Sequence, residues 1–157
     1  MEEPLSRKQV KKLLRRAGSP DKLSLNQENM RGINLSMLNL SGASLTEANL
    51  NEANLSDADL SDAYLSNADL SDADLSDATL CGADLRGADL RGANLYGADL
   101  SEADLSYADL SYSDLGEATL YRTDLSYADL TEADLYEADF TEANLSGAIM
   151  PSGEKHP

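Results

Sequence analysis

The stretch Ala58-Asp59-Leu60-Ser61-Asp62-Ala63-Tyr64-Leu65-Ser66-Asn67-Ala68-Asp69-Leu70 sets a leucine at every fifth residue and an alanine two residues before each. The spacing continues outward in both directions without a slip. From Leu25 to Met150 every fifth position is apolar, leucine except at Met30, Phe140 and Met150, for 26 consecutive units. Most units read A-[DN]-L-S-x, as in Ala103-Asp104-Leu105-Ser106-Tyr107.

A period of five suits neither regular structure. On an α-helix with 3.6 residues per turn the leucines would spread around the whole cylinder. On a flat strand the odd spacing sends alternate leucines to opposite faces, leaving half of them in water. The conflict disappears if the chain turns a corner within each unit, so that every Leu and its preceding Ala point to one interior. The other three positions carry Asp, Asn, Ser, Thr, Glu, Gly and Tyr, which suit turns and solvent.

The run of A-D-L-S-x units from Leu23 to Met150 resembles the pentapeptide-repeat family. That resemblance implies an all-β solenoid, a right-handed quadrilateral parallel β-helix with four units per coil. It would have about six and a half coils stacked about 4.8 Å apart, a body about 31 Å long. Each inward Leu then contributes about 1.5–3 kcal/mol of burial, and Ala beside it suits a narrow, filled interior. Ser113 and Thr123 replace the inward Ala, and their hydroxyls are expected to bond backbone carbonyls. Leu23, Glu28, Ile33 and Leu38 take the small residue's place in the first units, as expected at a solenoid end.

One helix is expected before the repeat. Ser6 is its N-cap with Gln9 three residues on, Leu5 is placed to staple against Val10, and Gly18 and Pro20 stop it. Val10, Leu13, Leu14 and Ala17 share one face, with Arg7, Lys8, Lys11, Lys12, Arg15 and Arg16 on the rest. The stripe reads as a lid over the first coil rather than a membrane-surface helix, since it is short and lacks an aromatic anchor. The chain therefore divides into a capping helix and linker at 1–22, a β-helix at 23–150 and a tail at 151–157.

The formal net charge is -17. It argues against direct contact with nucleic acid or an anionic membrane and points to a protein partner with a basic surface. One cysteine forms no internal disulfide, and with one histidine it builds no four-ligand zinc site. No apolar run matches a signal core or a membrane span, so a cytoplasmic location is expected.

Candidate chemistry is sparse. His156 lies in a Pro-, Ser- and Gly-containing tail and Cys81 has only Arg86 as a basic neighbour in sequence, so neither arrangement suggests a nucleophile. No enzyme activity and no cofactor are expected. Residues twenty apart should stack, which puts Asp69, Asp89, Asp109 and Asp129 in one ladder and Tyr107 above Tyr127. The ladder reads as a solvated edge whose side chains bond the turn, because a diverging surface does not gather the six to eight oxygens calcium needs. Glycines at 82, 87, 92 and 97 occupy the same corner all round one coil, allowing positive φ there.

The expected function is a non-enzymatic protein-binding or scaffold module. The repeat body holds 25 acidic residues and four arginines, about one net charge per 1.5 Å against one per ~1.7 Å along duplex DNA. The resemblance implies the alternative: a DNA mimic that binds type II topoisomerase (gyrase) or another DNA-binding protein. Because the sequence shows no second helix after Met150, a homodimer through the C-terminal coil is also expected.

Overall fold

The computed structural model describes residues 4–157; the first three residues of the expected N-terminal segment lie outside them. Helix α1 spans Arg7–Ala17 and a single 3-10 turn spans Pro20–Lys22. Ser6 and Gln9 form a reciprocal capping box, and Gly18 ends the helix in the left-handed conformation. Both ends thus follow from residues that satisfy the helix's orphan backbone groups.

Beyond Leu23 the chain is one repeated device. Within a unit, a β-turn closes from the alanine amide to the preceding leucine carbonyl, as Ala58 N–H to Leu55 O at 3.0 Å. Three further bonds join each unit to the next coil. Leu55 N–H donates to Asp74 O at 2.7 Å, Asp57 N–H to Ser76 O at 3.0 Å, and Asp74 N–H returns to Ala53 O at 2.9 Å. Parallel pairing runs at a constant offset of twenty, from Ser24↔Ser44 through Asp109↔Asp129. Four units therefore make one turn of the solenoid. Only one residue per unit pairs, so no strand longer than a single bridge forms among the described residues.

The interior is the expected one. Leu50, Leu75, Leu100 and Leu125 are fully buried, and the alanines beside them, such as Ala53 and Ala98, are at most 1 % exposed. Ser113 Oγ donates to Leu110 O and Thr123 Oγ1 to Leu100 O, both at 2.7 Å, so the two interior hydroxyls are satisfied. Glu28 departs from the pattern. It occupies an inward position by spacing but is exposed, because a carboxylate gains nothing from a leucine-filled space.

The corners correct the sequence reading in one respect. Positive φ is not confined to the glycine coil: every corner from Gln27 to Gly147 is left-handed, including Asp57 at 56°, Glu102 at 60° and Tyr127 at 59°. Most of these residues donate their amide to the next coil, as Asp57 does to Ser76, yet Glu137 and Glu142 keep the same conformation at 56° and 59° without that bond, so the repeated turn itself imposes it.

At the first coil α1 lies against the open edge. Val10 is fully buried, with Leu5, Leu13, Leu14 and Ala17 packed against the core, and the Leu5 amide donates to Asn29 O at 2.8 Å. At the other end the tail is not a loose extension. It returns antiparallel, pairing Ile149 with Lys155, with Gly147 N–H bonding His156 O at 3.0 Å and His156 N–H bonding Ala148 O at 2.7 Å. The tail therefore covers one corner of the last coil, where the sequence reading had left an open edge. Among the described residues the amides of Leu135, Glu137, Phe140, Glu142 and Leu145 reach no backbone carbonyl.

Candidate interaction surface

The five-residue unit fixes which side chains face out. The residue before a leucine faces out, and where it is Asp or Asn its side chain commonly folds back on the turn that follows. Asp109 Oδ1 accepts from Ser111 N–H at 3.0 Å and Ser111 Oγ at 2.6 Å. Asp129 accepts from Thr131 N–H at 2.9 Å and Asp69 from Ser71 N–H at 3.1 Å. Asn54 does the same for Ser56, so the position needs an acceptor oxygen rather than a charge.

The expected ladder is present: Asp69, Asp89, Asp109 and Asp129 pair successively from coil to coil. It is not four bare charges. Arg91 forks onto Asp89, Nε to Oδ1 at 2.8 Å and Nη2 to Oδ2 at 2.5 Å, and its Nε lies 3.8 Å from Asp109 Oδ2. Arg86 repeats the arrangement between Asp84 and Asp104 one unit earlier. The hydrogen-bonded guanidinium holds the Asp84 and Asp89 carboxyls below the usual aspartate range.

Tyr107 and Tyr127 also meet as expected, rings stacked with centroids 5.1 Å apart and planes 8° from parallel. Each lies two residues before a ladder aspartate, so stack and ladder occupy one edge of the rod. Lys155 brings its Nζ to 5.7 Å from the Tyr127 centroid. The sequence reading missed the recess beside this stack, about 360 Å³ and lined by Ser66, Asn67, Arg86, Gly87 and Tyr107. Its one legible signal was Gly87, in the same twenty-residue column as the two tyrosines.

The remaining candidates stand apart. His156 is exposed in the tail. Cys81 is half-buried, and its thiol is pushed up to about 11, first by burial and then by its hydrogen bond to Asp99. It is a poor nucleophile at neutral pH. Among the described residues no group of three or more His, Cys, Asp or Glu side chains converges as metal ligands, and no helix is long and apolar enough to cross a membrane.

A profile of the family described as Pentapeptide repeats matches in 8 copies, over residues 29–62, 58–97, 83–120 and 113–150. No protein with a curated description matches. Among solved structures, the chain is 28% identical to Rfr23, a pentapeptide repeat protein from the cyanobacterium Cyanothece 51142, over 85% of this chain and 93% of that one, with a TM-score of 0.55. It is 32% identical to HetL, a pentapeptide repeat protein involved in heterocyst differentiation regulation from the cyanobacterium Nostoc sp. strain PCC 7120, over 86% and 79%, with a TM-score of 0.44. QnrB1, a plasmid-mediated fluoroquinolone resistance protein, is 23% identical over 80% and 73%, with a TM-score of 0.48.

Proposed function

The chain belongs to the pentapeptide repeat family and folds as its right-handed β-helical solenoid, and on that footing we propose that it is a non-enzymatic protein-binding rod whose acidic surface receives a basic partner. One observation carries this reading. Asp69, Asp109 and Asp129 of the ladder each spend one carboxylate oxygen on their own turn, which leaves the second oxygen available to a partner while the first holds the side chain in place. Such preordering reduces the entropy lost on binding. Residues 1–22 act in this proposal as the N-terminal cap, 23–150 as the binding body and 151–157 as the closing tail, in a protein that works in the cytoplasm.

The test is capture of partners by the intact protein against a variant with Asp69, Asp109 and Asp129 changed to Asn. The variant is expected to fold, since Asn54 already fills the same role toward Ser56, and to lose partners whose binding weakens as salt rises. Unchanged capture at low salt sinks the proposal.

Charge spacing favours a second reading, mimicry of duplex DNA toward a type II topoisomerase or another DNA-binding protein. The repeat body places about one net charge per 1.5 Å, close to the ~1.7 Å of the duplex. A gyrase supercoiling assay with and without a quinolone tests it. Neither inhibition nor protection at large molar excess removes the topoisomerase version.

A further inference from the structure

The corner column Asn67, Gly87, Tyr107, Tyr127, Gly147 contains one empty level. Corner side chains lean toward the following coil. A Cβ on Gly87 would lie 2.7 Å from Asn67 Oδ1, and one on Gly147 would lie 2.8 Å from the Tyr127 ring. The Asn67 amide therefore sits at the level of Gly87, the Tyr107 ring at that of Tyr127, and the Tyr127 ring at that of Gly147. Gly87 has no side chain to send to the level of Tyr107. Between the Asn67 amide and the Tyr107 ring lie two coil spacings, about 10 Å, and the stack beyond uses 5.1 Å for each ring. One planar group is missing.

The two ends of the stack differ accordingly. Its C-terminal face is closed by the Gly147 backbone and by Lys155, a cation set over the Tyr127 ring. Its N-terminal face, on Tyr107, opens to the 360 Å³ recess, and Tyr107 is 67% exposed. No other corner of the glycine coil combines these features. Gly82 and Gly97 are followed in their columns by Glu102 and Glu117, and Gly92 by Tyr112 with Glu132 beyond it, so no ring pair forms there.

We infer that this level is a binding slot for the guanidinium of a partner's arginine, stacked on Tyr107 and donating to Asn67 Oδ1. The inference rests on the acidic-surface reading above and names the contact it would make. Three observations select a guanidinium. The rod already sets cations over tyrosine rings, Lys155 on Tyr127 and the Arg122 guanidinium carbon 4.9 Å over the Tyr121 ring. Asn67 Oδ1 accepts no hydrogen bond from the described residues. The chain carries a net charge of -17, which draws cations toward it. Arg86 lines the recess but does not fill the slot, because Asp84 holds its guanidinium in a two-point contact at 2.8 and 2.6 Å.

The probes are a hexa-arginine and a hexalysine peptide, titrated calorimetrically into the full chain at low salt. The decisive variant is Gly87→Asn, which fills the level without changing charge. Asn67 holds the same left-handed corner at φ 54°, and its exposed amide has room to move. The wild-type chain is expected to bind hexa-arginine about two- to fivefold more tightly than hexalysine, and Gly87→Asn to bind both alike. Tyr107→Leu, which removes the ring and leaves the backbone, is expected to behave in the same way and serves if Gly87→Asn melts early. A preference that survives in both variants, or equal binding by the wild type, overturns the slot and leaves the acidic surface standing. Failure of the wild type to bind either peptide overturns both. A hexalysine carrying one tryptophan that outbinds hexa-arginine, and loses that advantage in Gly87→Asn, assigns the slot to an aromatic side chain instead.

Discussion

The Arg7 guanidinium donates to the backbone carbonyls of Asn34 and Ser36, each at 2.9 Å. Elsewhere an amide donates to a carbonyl nineteen residues on, as Leu55 does to Asp74 and Asp57 to Ser76. Asn34 and Ser36 belong to the first coil, so no earlier coil supplies those amides. One planar side chain stands in for two of them. Arg7→Ala is expected to lower the unfolding free energy by about 1–3 kcal/mol, measured by urea denaturation. Arg7→Lys should recover less than half, because one ammonium does not span both carbonyls. An equal loss in Arg15→Ala, at an exposed position on the same helix, would show that only helix charge matters.

Adjacent residues should differ sharply in the middle of the rod. Leu100 is fully buried, and Leu100→Ala is expected to cost about 2–5 kcal/mol. Ser101 faces out and donates its hydroxyl to Asp99 at 2.6 Å, so Ser101→Ala should cost about 1 kcal/mol or less. Equal effects in thermal melts would contradict the inward assignment of the leucines.

Acid should weaken the glycine coil through Asp84 and Asp89. Their folded-state values are depressed, so their contribution is present above the unfolded aspartate value near 4 and is lost as pH falls through the lower folded value. Melting temperatures between pH 6 and pH 2 are expected to fall more for the wild type than for Arg86→Ala/Arg91→Ala, with the two curves converging at the acid end. Parallel curves would mean that the arginine forks contribute nothing to folding.

The Cys81 thiol, at about 11, should alkylate slowly at pH 8 and faster as pH approaches 11. Asp99→Asn is expected to raise the rate at pH 8, since it removes both the carboxylate acceptor and a nearby negative charge. Mass spectrometry of iodoacetamide adducts reads this directly, and an unchanged rate in Asp99→Asn would assign the slow reaction to burial alone.

Much of this was legible because the period is rigid. Leucines five apart that suit neither helix nor flat strand leave few arrangements, and Ser6, Gln9 and Gly18 mark α1 by local chemistry alone. The twenty-residue stacking of Tyr107 on Tyr127 followed once four units per turn were taken from the family likeness. Three features were hidden. Left-handed corners at Asp57 or Tyr127 are imposed by the repeated turn rather than by residue type. The return of the tail depends on long-range pairing of Ile149 with Lys155, for which the segment Pro151 to Pro157 carries no pattern. The recess under Tyr107 depends on the lean of Asn67, two coils away.

The bonds between coils run along the rod, and each coil touches only its neighbours. A pull applied to the two termini therefore loads them a few at a time at a peeling edge rather than all at once. Such a molecule gives way as a zipper does, at low force and in similar steps of twenty residues, each lengthening the tether by roughly 60–65 Å. It would behave less as a strut than as a spool.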